Sequence, residues 1–339
     1  MSLKIIMNQD EIERNELNVN AMGGTEMMQK ALQERLPKDI SDQFQIIPSR
    51  VRDIDSNRLP VLWLHDLAED PESQHLRDRE SRSRFKRLIF VSHWQFSTYN
   101  KVLGVPYSES IVLKNAIDPI PNHTKPKDGP IRLIYHTTPH RGLDILVAVF
   151  EQMAKKWGDR IHLDVYSSFK IYGWEQRDEE FKEVFDRCRE HDNITYHGSV
   201  PNHEVRKALE NSHIFAYPCT WQETSCIAAI EAMSAGCAIV CPSLAALPET
   251  TSNFALMYPH DENKMQHAHM FYQVLDAAIE GFWEEDMQTK LQFQRLYTNT
   301  FYGWDLRSQE WEGLLRSIAE QEKAAQEEIP PPSIVSSSS

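Results

Sequence analysis

The chain has 339 residues, a length that accommodates two domains, and 41% of them are hydrophobic, enough for substantial cores. Its formal net charge of −14 argues against nucleic acid as the main partner, because a free-standing duplex binder is normally basic. No run approaches the roughly 20 apolar residues of a membrane span, the N-terminus has no signal-peptide core, and the 5 cysteines form no Cys-x-x-Cys, so reduced thiols in a cytoplasmic protein are the expectation. The basic cluster Arg82–Arg87 leaves peripheral membrane attachment open.

Short apolar strands alternate with helical stretches almost throughout, the pattern of α/β domains with parallel sheets. In the first third, strands read as Leu3–Met7, Phe44–Pro48, Val61–Leu64, Leu88–Val91 and Ser110–Leu113, and helices as Thr25–Leu36, part of Glu72–Arg84 and Trp94–Leu103. Gly23-Gly24 precede the first of these helices, where paired glycines allow close backbone approach to a ligand and Thr25 can cap. This is no Gly-x-Gly-x-x-Gly, which weakens a dinucleotide reading. Asp53-Ile54-Asp55 spells a metal-type triplet, but it lies in a polar loop with Asn57 and Pro60 in an acid-rich chain, and metal binding there is not expected. His65-Asp66 ends one strand and Ser92-His93-Trp94 follows the next, positions where open α/β sheets present ligand groups. Pro119-Ile-Pro121 and Lys125–Pro130 form the best linker in the chain.

The second unit opens with strand Ile131–Tyr135. Helix Leu143–Trp157, strand His162–Tyr166, helix Glu179–His191, strand Ile194–His197, helix Asn202–Asn211 and strand Ile214–Tyr217 follow. At the first turn of this unit stands His136-Thr137-Thr138-Pro139-His140-Arg141-Gly142. Arg141 sits there at a strand-to-helix transition, where a guanidinium can grip two oxygens of a phosphate. His136/His140 and His267/His269 have ligand-like spacing, but no Cys or Glu set completes a site, and no structural metal is expected.

The most informative segment is TWQETSCIAAIEAMSAGCAIVCPS, residues 220–243. Thr224 and Ser225 are N-cap candidates, Cys226–Ala235 reads as a small-residue helix, Gly236 ends it, and Cys237–Cys241 reads as a buried strand. Glu223 thus lies just ahead of a helix N-terminus and Glu231 lies inside the helix, roughly 12 Å apart if all were helical. That is about the distance from sugar to ribose in a nucleotide-sugar. Between them, free amides of the first turn near Thr224, Ser225 and Cys226 would face a diphosphate, with the helix dipole favouring its charge. From Glu262 onward the chain reads as helices, the last spanning Asp305–Gln326 before a Pro- and Ser-rich tail.

The segment, with Pro218 and Trp221 before it and Pro242 after it, resembles the Glu-x7-Glu motif of retaining GT-B glycosyltransferases, the family 4 class of glycosyl transferases group 1. Trp304-Asp305 and Trp311 with Leu314-Leu315 resemble the final helix of that fold, which crosses back to the first domain. The resemblance covers residues 1–320 and implies two Rossmann-like domains facing each other across a cleft. The acceptor side spans residues 1–118, the donor domain 119–302, the crossover helix 303–326 and a disordered tail 327–339. It implies catalytic roles for Glu223, His65 and Arg141, with Glu223 on the donor sugar and Glu231 on the ribose. Gly23, Gly24, Thr137, Arg141, Thr224, Ser225 and Cys226 join them in holding the donor.

The family's second cation before Arg141 is absent here, and His136 or the threonine hydroxyls of Thr137 and Thr138 are the candidate substitutes. Asn115-Ala116-Ile117-Asp118 resembles the turn at the domain crossover. The first domain is short for the family, which implies a reduced acceptor face. The expected reaction moves a sugar from a UDP- or GDP-sugar to an acceptor (glycan, lipid-linked sugar or small molecule), with retention and without a bound metal or other cofactor. The rivals are a sugar-nucleotide epimerase or hydrolase on the same fold and a catalytically silent binding protein. The free protein is expected to be more open than its donor complex.

Overall fold

The computed structural model describes residues 23–327. The expected strand Leu3–Met7 and the tail beyond Glu327 lie outside them. Two parallel sheets organise the chain. Among the described residues the first has the order β1 (Phe44–Pro48), β2 (Leu59–Leu64), β3 (Leu88–Phe90), β4 (Ser110–Val112). Around it lie α1 (Gly24–Gln33), α2 (Lys38–Ser41), α3 (Arg79–Ser83) and α4 (His93–Leu103). β2 is the buried centre: Val61, Leu62, Trp63 and Leu64 are each at most 1% exposed, as a continuous apolar run in a parallel sheet requires.

The second sheet contains β5 (Ile131–Tyr135), then α5 (Leu143–Trp157), β6 (Ile161–Val165), α6 (Lys182–Glu190), β7 (Ile194–Tyr196), α7 (Asn202–Asn211) and β8 (Ile214–Ala216). It continues with α8 (Ile227–Ser234), β9 (Ala238–Ser243), α9 (Leu247–Thr250) and β10 (Leu256–Pro259). The strand order is β10-β9-β8-β5-β6-β7. The topology therefore switches direction between β5 and β8, and open α/β sheets place ligands outside the carboxyl ends of strands at such a point. α5 buries Leu143, Leu146, Val147, Phe150 and Met153 on one stripe, the helical period predicted from its sequence.

α10 (Lys264–Glu280), α11 (Glu285–Phe301) and α12 (Trp304–Glu327) complete the chain. α12 crosses back: Trp304, Trp311, Leu315 and Ile318 belong to the same core as Met28 and Leu32 of α1 and Phe44 and Trp63 of the first sheet. The rings of Trp63 and Trp311 meet edge to face at 4.9 Å. The chain leaves the first sheet beside the place where it returns. Ile117 N–H donates to Tyr302 O at 2.8 Å and Trp304 N–H to Ile117 O at 3.2 Å. Asn115–Asp118 thus has an architectural place in the crossover.

Several local expectations are corrected. The helix expected over Glu179–His191 begins only at Lys182, preceded by a 3-10 segment Glu175–Phe181. α1 starts at Gly24 with Gly23 as its N-cap residue, so Thr25 does not cap it. β10 and α9 carry no sequence signal of their own; one contains Pro259 and the other Pro248, and both are too short for a period to show.

Candidate functional site

The site forms where the ends of β5 and β8 meet. At the exit of β5, the 3-10 turn Pro139–Arg141 is followed by Gly142 at φ 108°, which opens α5. A Cβ on Gly142 would stand 2.2 Å from Pro218 O, so only glycine lets this turn abut the loop that leaves β8. The consequence is an ion pair across 82 residues of sequence: Arg141 Nη1 lies 2.5 Å from Glu223 Oε1. Tyr217 OH donates to the same oxygen at 2.5 Å. Burial opposes the Arg141 cation, but Glu223 and then Tyr217 outweigh it and hold its pKa well above the usual value. Arg141, expected to await a phosphate, is already engaged by the first glutamate of the motif.

Glu231 has separate partners. Arg206 Nη1 is 3.0 Å from its Oε1, and Asn202 Nδ2 lies 3.3 and 3.2 Å from its two oxygens. Arg206 Nη2 also donates to Asp118 O at 2.6 Å, and the Asp118 carboxylate pairs with Arg35, just past the end of α1, at 2.7 Å. Burial pushes the Glu231 carboxyl up, against the pull of Arg206 and Asn202. Sequence reading missed Arg206, Asn202 and Tyr217, because each meets its glutamate only through tertiary packing.

Thr224 and Ser225 do not cap α8. Its N-cap residue is Cys226, and no side chain caps it. The Thr224 hydroxyl instead donates to His65 O at 2.8 Å, tying the donor loop to the end of β2. Gly24 comes near the same helix, since a Cβ there would lie 3.1 Å from Ile227 Cδ1. Glu249 of α9 accepts from His93 N, His93 Nδ1 and Trp94 N, so the second sheet also caps the start of α4. Gly24, His65 and His93 therefore all face the second sheet. Asp66 does not orient the His65 ring; its carboxyl is pushed up to about 6, first by burial and then by Asp70.

A run of buried polar atoms lies in the turn that carries Arg141, and another such atom stands at the end of β2. His65 Nε2, His136 Nε2, Thr138 Oγ1, His140 Nδ1 and Arg141 Nε find no hydrogen-bond partner among the described residues. Thr137 lies between them in the same turn. Such atoms cost free energy when left unpaired, so those that follow β5 leave that turn with donors and acceptors open to a polar ligand. Burial holds His65, His136 and His140 at about 3, with Arg141 and Arg177 adding to the effect at His140. His136 is therefore a neutral donor or acceptor, and it does not replace the missing second cation.

These histidines make the fold acid-sensitive. Their imidazoles titrate near 6.5 when unfolded and near 3 when folded, so between those values only the unfolded chain binds the protons. Stability is full above 6.5 and falls as pH drops through that window. His136→Gln should flatten the decline by about 1.4 kcal/mol per pH unit. Thermal melts between pH 6.5 and 4 test this; identical slopes for the two proteins would refute it.

The DxD triplet forms a turn: Asp55 Oδ1 accepts from Asn57 N at 2.9 Å, and Asp53 O accepts from Gln45. No group of three or more His, Cys, Asp or Glu side chains converges to hold a metal among the described residues. Among them, no helix is long and apolar enough to cross a membrane.

Residues 132–271, from β5 into α10, match the family model described as Glycosyl transferases group 1. Over 168 residues the chain is 27% identical to a component of the human phosphatidylinositol N-acetylglucosaminyltransferase, and the match covers 44% of this chain and 33% of that protein. The matched stretch thus spans a third of that relative's length. Among solved structures, a glycosyltransferase from Rickettsia africae superposes with a TM-score of 0.66 at 13% identity, covering 91% of this chain and 87% of that one. Anabaena Alr3699/HepE in complex with UDP-glucose superposes with a TM-score of 0.60 at 16% identity, covering 79% and 72%. The resemblance to glycosyl transferases group 1 therefore holds, and the chain has the GT-B fold.

Proposed function

We propose that the protein transfers a glycosyl group from a nucleoside-diphosphate sugar to a hydroxyl-bearing acceptor with retention of configuration. The observation that carries this reading is the concentration of unpartnered buried polar atoms at the β5 turn, beside the Arg141–Glu223 pair and the uncapped start of α8. A diphosphate suits that place: Arg141 Nε and the α8 amides offer donors to the charge that develops on the leaving phosphate. Glu223 then receives hydroxyls of the donor sugar and Glu231 those of the ribose. His65, whose buried Nε2 has no partner among the described residues and which burial keeps neutral, would meet the sugar from the first sheet's side on this reading. Among the described residues no side chain stands out as a covalent nucleophile, and Glu223 is engaged by Arg141 and Tyr217, which favours same-face attack assisted by the leaving phosphate. A UDP-sugar is the favoured donor, because HepE takes UDP-glucose on the same fold. The expected division is an acceptor side up to residue 118, a donor domain to 302 and the crossover helix beyond, in a cytoplasmic protein.

Thermal shift with UDP-, GDP- and ADP-sugars tests the reading, since a ligand bound only by the native state raises its melting temperature. One nucleotide-sugar should raise it, and its slow hydrolysis should be measurable without acceptor. Isomerised donor would favour an epimerase, and the absence of any shift would remove the donor site. Because Arg141 and helix amides carry the phosphate charge, turnover should persist after EDTA treatment. Complete loss restored only by manganese would return Asp53 and Asp55 to consideration and overturn the mechanism.

A further inference from the structure

Between β6 and α6 the chain makes an excursion of two 3-10 segments, Phe169–Tyr172 and Glu175–Phe181, joined through Gly173 at φ 75°. Its neck is closed by Asp178, whose carboxylate accepts from Ser168 Oγ at 2.5 Å and Phe169 N at 2.7 Å. The Phe169 ring is stacked on the His140 ring at 5.3 Å and 16°, and the Arg177 guanidinium lies 4.4 Å from the Phe169 centroid. The excursion is therefore a strap fastened to the very turn that carries Arg141.

At its tip the strap reaches the first sheet's side of the site. A Cβ on Gly23 would lie 2.5 Å from Tyr172 Cε1 and 3.0 Å from Tyr172 Cδ1, and 2.5 Å from Glu26 Oε2. The backbone of Gly23, at φ −68° and ψ 170°, is one that any residue adopts. Glycine is thus required there for space, and the space is filled by the Tyr172 ring. Burial raises the pKa of this phenol, and Arg141, Glu223 and Glu26 are the charges that act on it.

We infer that Tyr172 is the gate of the donor site, a positioning residue at the tip of a strap anchored on the Arg141 turn, seated in a notch made by Gly23. The inference rests on the donor reading above and gives Gly23 a different task from the phosphate contact that the resemblance implies. A ring bridging the strap and the start of α1 in this way would close the cleft against water and swing out to admit donor.

A double-mutant cycle with Gly23→Ala and Tyr172→Ala tests it, read by calorimetric binding of UDP and by trypsin cleavage after Lys170 and Arg177 of the strap. Gly23→Ala should weaken UDP binding about tenfold and raise strap cleavage. In the Tyr172→Ala background it should change neither. The coupling should persist with Tyr172→Phe, because the contact is made by ring carbons. Equal losses from Gly23→Ala in both backgrounds would show that Gly23 touches the nucleotide itself and would overturn the gate. Unchanged cleavage in Gly23→Ala would overturn it too. If the wild-type protein binds no UDP or GDP at all, the donor reading fails, while the cleavage arm still reports whether Gly23 and Tyr172 are coupled.

Discussion

Replacing Glu223 by alanine should destabilise the protein and lower turnover without weakening its hold on nucleoside diphosphate. Glu223 and Arg141 are 6% and 22% exposed, so removing the carboxylate strands a largely buried guanidinium. Breaking such a pair costs about 3 kcal/mol, and the residual exposure of Arg141 keeps the figure at the low end. The freed guanidinium is then wholly available to phosphate oxygens, so UDP affinity should hold or rise. Arg141→Ala should instead lose about 2 kcal/mol of UDP binding, a charge-assisted hydrogen bond's worth. On the proposed roles, Glu231→Ala should weaken donor binding more than Glu223→Ala, because a ribose contact would already be made in the ground state, whereas Glu223 would act on the reacting sugar. Urea melts, UDP titrations and donor-hydrolysis kinetics on the same variants separate these effects. If Glu223→Ala and Glu231→Ala both act purely on turnover, the division of roles between the glutamates is wrong.

Gly142→Ala should be among the most damaging single-methyl additions in the chain. The residue sits at φ 108°, and the new Cβ would meet Pro218 O at 2.2 Å, a backbone atom with nowhere to go. Left-handed strain costs about 1–2 kcal/mol, and forcing the two loops apart adds about 1–3 kcal/mol. Gly129 provides the control: its φ is 93°, but nothing lies within 4 Å of an added Cβ, so Gly129→Ala carries only the backbone term. Because the Gly142–Pro218 contact sets Arg141 beside Glu223, whatever Gly142→Ala protein folds should also bind UDP poorly. Denaturant midpoints for the two variants decide it; equal losses would mean the loops separate freely and that the close approach has no role in building the site.

Much of the scaffold could be read from local pattern. Phe44–Pro48, Ile131–Tyr135, Leu143–Trp157 and Asn202–Asn211 have the predicted bounds, because each is long or apolar enough for its own period to decide. Capping was less legible. Thr25, Thr224 and Ser225 are good cap residues by type, yet α1 and α8 begin at other positions, and the Thr224 hydroxyl serves a bond between the two sheets instead. A hydroxyl's choice between its own helix and a distant carbonyl is made by tertiary approach, which no local window contains.

The sequence by itself determined the α/β alternation and the segment holding Glu223 and Glu231 around a helix start, whereas the crossover of the last helix was implied only by resemblance. The alternation and the segment follow from periods of two and 3.6 residues and from glycine and proline punctuation, all local quantities. Only the tertiary structure decided that Arg141 grips Glu223, that Arg206 and Asn202 hold Glu231, and that Tyr172 seats against Gly23. Those meetings depend on β8 lying beside β5, a neighbour relation between strands far apart in the chain. The physical reason is that strand order is set by how whole hydrophobic faces bury one another, and the side chains at the strand ends are brought together as its consequence.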